Sequence, residues 1–506
     1  MKPSFLVCLS MTLSACTAVG PDYKPPTVST PKQWQGMAAP TAAQAKQADA
    51  WWQTFRDPQL NQLINEAITA NLDVRKALMR VKDVRAQRVA IYASALPSMT
   101  ARSNISRRLN NTSSGSSAAG GSSAGGGFGI GNQLIDIFQT GFDAQWELDF
   151  FGGVRRAAEA ADATVDSEIE NSRDILVTLL AEVARNYLEL RANQQLLGIT
   201  QANVTSQADT LALTQIRQQS GLADSLAAVR AEAQLATTQA QLPNYESQIQ
   251  QKLHALSLLL GKQPAALNGK LQRPAPLPSV AATVIPDLPS ELLKRRPDIR
   301  RAERLLAVAT ANIGVAKAEL YPKLNLTAFL GLQNMSVKDV TPIGKSWSTA
   351  ASLTLPIFNW GNLQANVSSK QALSEEAKLS YETAVLTAFK DVEDSLIAYS
   401  KEQQRHQALA RAVAANQLAV QLATERYQKG LTAFTEVLDS QQALYQTQSS
   451  QAESNLMVAS NLVALYKALG GGWQTPVSTS MCQDCKNSWA ESIHQEVKAL
   501  LYKNQP

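Results

Sequence analysis

Charge and aromatic rings are scarce in these 506 residues: charged side chains make up 18% and aromatic ones 6%. Alanine, glutamine, leucine and serine dominate instead, a mixture suited to long helices with narrow, weakly apolar seams rather than to a compact globule. The formal net charge is only +5 and no basic run stands out, so the chain carries no nucleic-acid footprint. Three histidines, His254, His406 and His494, lie far apart, and none has a cysteine or a second histidine at a ligand spacing. No nucleophile–base pair, phosphate loop or zinc motif appears, which points away from an enzyme. Long hydrophobic runs are missing too. The apolar segment 5–13 is too short to span a bilayer, which takes about 20 residues.

Cysteine is equally rare, with four in the chain. Lys2 ahead of the apolar segment, which contains Cys8, has the layout of an export leader. It ends in Leu13-Ser14-Ala15-Cys16, which resembles a bacterial lipobox; the alternative is an ordinary leader with a chance cysteine. The resemblance implies removal of residues 1–15 and an N-acyl, S-diacylglycerol lipid on Cys16, with no other cofactor. Several acyl chains hold a terminus firmly on a membrane, each buried CH₂ contributing about 0.8 kcal/mol. Thr17 stands where an aspartate would retain such a lipoprotein at the inner membrane, which favours the outer one. Cys482 and Cys485 form a lone CxxC in the tail. It reads either as a local disulfide in an oxidising periplasm or as half of a metal site, and both readings stand.

What is present is long-range order. Residues 16–56 read as an extended arm rich in Pro, Thr, Ala and Gln. Asp57-Pro58 then makes a helix start, with Asp as N-cap and Pro at the first position, and predicts one helix over residues 59–94. A strand over about 97–108 and a Ser/Gly-rich loop over 110–131 precede a run of strict alternation within 134–151. Phe138, Thr140, Phe142, Ala144, Trp146, Leu148 and Phe150 face one way; Gln139, Gly141, Asp143, Gln145, Glu147 and Asp149 face the other. Such length, with one face apolar and one wet, fits a transmembrane barrel strand. Asp143, Glu147 and Asp149 would line the lumen. Helix is expected over 154–220, roughly 100 Å at 1.5 Å per residue. Its seam, Leu176, Leu180, Val183, Tyr187 and Leu190, has coiled-coil spacing. After Gly221 helix returns to about residue 260, with a kink expected at Pro243.

The order then repeats. After a proline-rich connector, 263–289, a second unit spans 290–473 as the first spans 57–262, with strands at about 321–335 and 345–358. The second seam, Val385, Phe389, Val392, Leu396 and Tyr399, follows the first by 209 positions at every step. Gly361 follows Gly152, and Gly430 follows Gly221, by the same 209. Such constancy means a duplicated chain. The polar tail, 474–506, ends in a possible short helix over 490–502.

Each unit reads helix, strand, strand, long helix, turn, helix. Four strands cannot close around a channel, and an open edge cannot sit in lipid, so copies must assemble to complete the sheet. The expected fold is mainly α with a β-barrel portion: a barrel in a membrane continued by a helical tube.

At this point the chain resembles the TolC family of outer-membrane factors, close to the OprM-like lipoprotein channels of multidrug efflux. Beyond the lipobox, the resemblance rests on Gly20-Pro21-Asp22-Tyr23, Trp51-Trp52 with Phe55 and Asp57-Pro58-Gln59-Leu60, Trp146-Glu147-Leu148-Asp149, Leu355-Pro356-Ile357-Phe358, and Asn461 through Leu469 to Gly470-Gly471-Gly472-Trp473. It implies a homotrimer in a Gram-negative outer membrane, with a twelve-stranded β-barrel and a periplasmic coiled-coil α-barrel. The implied partners are a periplasmic adaptor protein and an inner-membrane pump of the resistance-nodulation-division (RND) type; conduction is passive. It places the gate on the hairpin around Gly430, with Arg426 and Tyr427 as latch and Asp439 and Thr435 at the aperture; Gly221 turns the twin hairpin. Thr435 stands where relatives often carry a bulky apolar residue, which weakens that constriction. Two rivals remain on sequence: the outer-membrane conduit of type I protein secretion, and a trimeric coiled-coil surface structure.

Overall fold

The structure is a computed structural model that describes residues 18–31, 34, 49–110, 133–221, 224–278, 289–334 and 345–474. Cys16, the Ser/Gly-rich loop from residue 111, Cys482, Cys485 and the rest of the tail lie outside the described residues. The elements in order are α1 (Pro58–Ala70), α2 (Leu72–Ala93), β1 (Ser98–Asn110), β2 (Gln133–Leu148), α3 (Gly153–Gln219), α4 (Ser225–Gln239) and α5 (Leu242–Leu259). There follow α6 (Asn268–Leu271), α7 (Pro289–Arg295), α8 (Pro297–Ala318), β3 (Lys323–Asn334), β4 (Lys345–Thr354), α9 (Asn362–Gln428) and α10 (Phe434–Ala468).

The start at Asp57 is as the sequence indicates: its Oδ1 accepts from Gln59 N at 2.7 Å and Leu60 N at 3.1 Å. The single helix expected over 59–94 is instead two. Asn71 takes an extended conformation (ψ 132°), ends α1 and caps α2, accepting from Asp73 N and Val74 N. A short amide caps better than it continues a helix, and here it also donates from Nδ2 to the Leu259 carbonyl at 2.9 Å. Arg296 stands at the equivalent break, extended before Pro297 as the residue before a proline prefers. Its Nη1 donates to the Ala468 carbonyl at 2.9 Å, and Ala468 follows Leu259 by 209 positions. The repeat therefore conserves the stitch while changing the side chain that makes it.

The kink expected at Pro243 lies slightly earlier, between Gln239 and Leu242. Proline has no N–H for the Gln239 carbonyl, so α4 ends there and Pro243 sits in the first turn of α5. Helices α3 and α9 each run 67 residues, about 100 Å.

The four strands form one antiparallel sheet in the order β1-β2-β3-β4. Two strands are shorter than the sequence suggests. β2 stops at Leu148, so Phe150 leaves the alternation; Asp149 turns to the helix start, where Oδ2 accepts from Arg155 N at 3.0 Å. β4 stops at Thr354, just before Pro356, which cannot donate to a ladder. Register pairs Phe142 with Leu330 and Leu330 with Trp347. These three side chains are 53%, 66% and 72% exposed, one apolar row across three strands that no described residue covers. No helix among the described residues is long and apolar enough to cross a membrane.

The main core lies midway along the long helices. Both predicted seams pack there, and Trp51, Trp52 and Phe55 close over them, with Trp51 stacked on Tyr466 at 5.5 Å. Arg191, 1% exposed, fixes the connector to this belt. Its guanidinium donates to Gln59 Oε1, to Gln194 Oε1, and to the carbonyls of Leu271 and Arg273.

The N-terminal arm is strapped across both units. Val19 N donates to the Phe151 carbonyl at the foot of β2. Arg156 donates to the carbonyls of Val19 and Gly20 and pairs with Asp22 at 2.7 Å. Lower down, Trp34 meets Phe389 edge-on at 6.1 Å. Passage beneath Arg156 needs two glycines, since a Cβ on Gly314 would lie 2.6 Å from Arg156 Cγ and 2.9 Å from the Val19 carbonyl, and Gly20 rests on Gly314. Gly314→Val is therefore expected to release residues 18–22. Limited proteolysis should then cut the arm at least ~10-fold faster, local opening governing cleavage there; an unchanged rate would refute the strap.

Deeper along the same face, Glu170 pairs with Arg173 at 2.6 Å and Arg300 at 2.7 Å. Burial pushes its carboxyl above the usual carboxylate range, the two arginines opposing that shift.

Candidate functional site

The two hairpin tips lie at the far end of the long helices from the sheet. Gly221 and Gly430 turn them in the left-handed region, at φ 68° and 72°, where a Cβ would strain the backbone. Their hydrogen bonds match: Gly221 N donates to Gln218 O, and Gly430 N to Tyr427 O, both at 2.9 Å. After Gly430, Ala433 is the extended residue from which α10 begins.

Tyr427 is the centre of a small separate core with Phe434, Val437 and Ala231. Its ring lies 5.4 Å from that of Phe434, and the residue is 6% exposed. Its hydroxyl is buried and makes no hydrogen bond among the described residues. The cation on the ring is Arg217, from the first unit, 4.8 Å from the ring centre. Its Nη1 also reaches the Gln428 carbonyl at 3.3 Å. Arg426, by contrast, points into solvent, and its carbonyl closes the turn by accepting from Leu431 N at 2.9 Å. Tyr427 and Arg426 are thus on different sides of the tip.

Arg217 was not singled out by motif, yet a signal existed: it precedes Arg426 by 209 positions. Duplication placed one arginine at each tip, and the first holds the tyrosine of the second.

Thr435, half-buried, and Asp439, exposed, lie in the first turns of α10. Four residues apart, they share a helix face. Above them α10 is tied to α3 by side-chain bonds. Gln441 Nε2 donates to Thr210 Oγ1 at 2.9 Å, Thr200 and Tyr445 hydroxyls meet at 3.4 Å, and Asn203 Nδ2 donates to Gln448 Oε1 at 3.3 Å. Among the described residues, no group of three His, Cys, Asp or Glu is placed to hold a metal ion.

Known proteins give this geometry a context. The family described as Outer membrane efflux protein matches residues 63–262 and 288–471, the two units. The chain is 35% identical, over 94% of its length and 98% of the relative's, to a pyoverdine export outer membrane protein, OpmQ, of Pseudomonas putida. It is 31% identical to the toluene efflux pump outer membrane protein TtgI of the same species, over 92% and 97% of the two chains. Among solved structures, the outer-membrane channel OprN superposes with a TM-score of 0.82 at 31% identity, covering 90% of this chain and all of that one. The open state of the Neisseria gonorrhoeae MtrE outer membrane channel gives 0.78 at 28%, over 90% and 98%. With both units matched and the whole architecture shared, the chain belongs to the outer membrane efflux protein family and is a channel component of the outer membrane.

Proposed function

We propose that three copies of this chain close a twelve-stranded barrel, held in the outer membrane and anchored by lipid on Cys16, above a helical conduit gated at its periplasmic tip. The carrying observation is the four-stranded sheet. Among the described residues β1 and β4 are both free edges, one face bears the exposed Phe142–Leu330–Trp347 row, and the order of strands leaves closure to neighbouring copies. The tube conducts passively, receiving solutes from a periplasmic adaptor and an RND-type inner-membrane pump. That pump selects the cargo; relatives named for pyoverdine and toluene point to small organic molecules. At the tip, Tyr427 holds the second hairpin to the first, Arg426 is available to a neighbouring copy, and Asp439 with Thr435 faces the axis.

Three Asp439 carboxylates around one axis would draw cations into the aperture. Purified protein in planar bilayers tests both levels of this reading. A mass of three chains with cation-selective conductance is expected, and Asp439→Ala should lower the cation preference by roughly threefold. Unchanged selectivity removes Asp439 from the aperture, while absence of any conductance removes the channel.

A further inference from the structure

Phe329 breaks the pattern of its face. Where all four strands pair, the face opposite the Phe142–Leu330–Trp347 row carries small or polar side chains, and Phe329 on β3 is its one large apolar residue. In the barrel proposed above that face lines the pore, so the ring meets neither lipid nor a core.

The wall is hollowed out to receive it. Register sets Gly141 on β2 opposite Gly331 on β3, both on the pore face. A Cβ on Gly141 would lie 2.8 Å from Phe329 Cε2, and one on Gly331 would lie 2.7 Å from Phe329 Cζ. The far edge of the ring thus fills the space of two missing side chains. It lies along the wall instead of standing into the lumen, with one face on the glycines and the other toward the pore, and the residue is half-buried. A ring laid over glycine also steadies a sheet. The surroundings here go further, because they leave the outer face of the ring open. On the β4 side the pore face offers Ser346, Ser348 and Ala350, too short to cover it. Asp143 stands directly opposite on β2 and pairs with the exposed Arg102 at 3.9 Å, so charge of both signs lies beside the ring.

We propose that Phe329 is a stacking site on the pore wall for planar aromatic solutes, repeated in each copy around the barrel. The inference rests on the trimeric barrel reading. A flat solute settles on the open face of the ring without entering a pocket, while Asp143 or Arg102 meets charge on its substituents. Such a foothold is shallow and releases what it holds, as conduction requires. A solute of equal size and charge without a π-face finds only short, polar side chains on this wall.

Two compounds that share a charge and differ in their rings make the test. The full-length trimer is placed in planar bilayers, with 2-naphthylmethylammonium or its fully saturated decalin analogue added on the extracellular side. The naphthyl compound is expected to reduce the current at concentrations about fivefold or more below those the saturated one needs. Phe329→Ile should bring the two within about twofold of each other, whereas Phe329→Tyr should keep them apart. Both replacements are good strand formers, so the sheet is expected to tolerate either. If Phe329→Ile lowers the melting temperature of the trimer yet discriminates as the wild type does, the ring only steadies its glycines and the stacking site is overturned. Equal potency of the two compounds on the wild type overturns it as well, and so does lost discrimination in Phe329→Tyr. A wild-type protein that passes no current instead removes the channel, and the site with it.

Discussion

Tyr427→Ala is expected to raise the resting conductance of the channel by about tenfold or more, the largest functional change we foresee from one substitution. The ring carries three attachments at once. It fills the small core with Phe434 and Val437, it receives the Arg217 cation at 4.8 Å, and it secures the end of α9 against the first unit. Losing a buried aromatic costs about 3–5 kcal/mol, and the cation–π contact adds about 0.5–2 kcal/mol. If a third of that sum holds the tip closed, the open fraction rises by one or two orders of magnitude, since about 1.4 kcal/mol is tenfold. Tyr427→Phe should behave as wild type, because the hydroxyl makes no hydrogen bond among the described residues. Arg217→Gln should give an intermediate rise and Arg426→Gln a smaller one. Single-channel recording in planar bilayers reads all four, and an inert Tyr427→Ala would remove the tyrosine from the latch.

The largest loss of stability is expected from Arg191→Met. The side chain is 1% exposed and holds two connector carbonyls, Leu271 and Arg273, together with Gln59 and Gln194. Methionine fills much of the volume but takes the donor from the Arg273 carbonyl and Gln194 Oε1, while the Leu271 carbonyl keeps Gln194 Nε2 at 2.9 Å and Gln59 Oε1 keeps the Tyr187 hydroxyl at 3.4 Å; an acceptor left dry costs about 1–3 kcal/mol. A destabilisation of about 3–5 kcal/mol follows, the range for breaking a buried charged network. It should appear as a lower melting temperature and as faster proteolysis after residue 271, with the tips unaffected. If the connector stays protected at wild-type rates, Arg191 does not clamp it.

The parts of the fold legible in advance were those the duplication repeats. The bounds of α3 and α9, the turning glycines and both seams share one offset, so each copy corroborates the other. Asp57 was legible for a local reason, since its cap uses only the next three residues. The break at Asn71 was not, because the same side chain also reaches the Leu259 carbonyl, 188 positions away. Alternation likewise ran on through Asp149 and Phe150, while Asp149 was already committed to the helix that follows. The arm under Arg156 and the connector under Arg191 escaped for the same reason: both are held through carbonyls, whose partners no side-chain pattern announces. At the tip, the motif pointed to Tyr427, but its cation lies 210 positions earlier. Shifting Arg426 back by one repeat finds it.

The unpaired margins of β1 and β4 bear on the order of events in the cell. A lone sheet of four strands would carry a row of bare N–H and C=O groups into hydrocarbon at several kcal/mol each, so solitary copies are turned away from the bilayer. In the trimer proposed above, partnership is expected to precede insertion. Arrival in the membrane then scales steeply with the supply of unassembled copies, as a reaction of higher than first order. The same exposed margins that make the pore possible are thereby expected to make the number of pores fall faster than the number of subunits as supply drops.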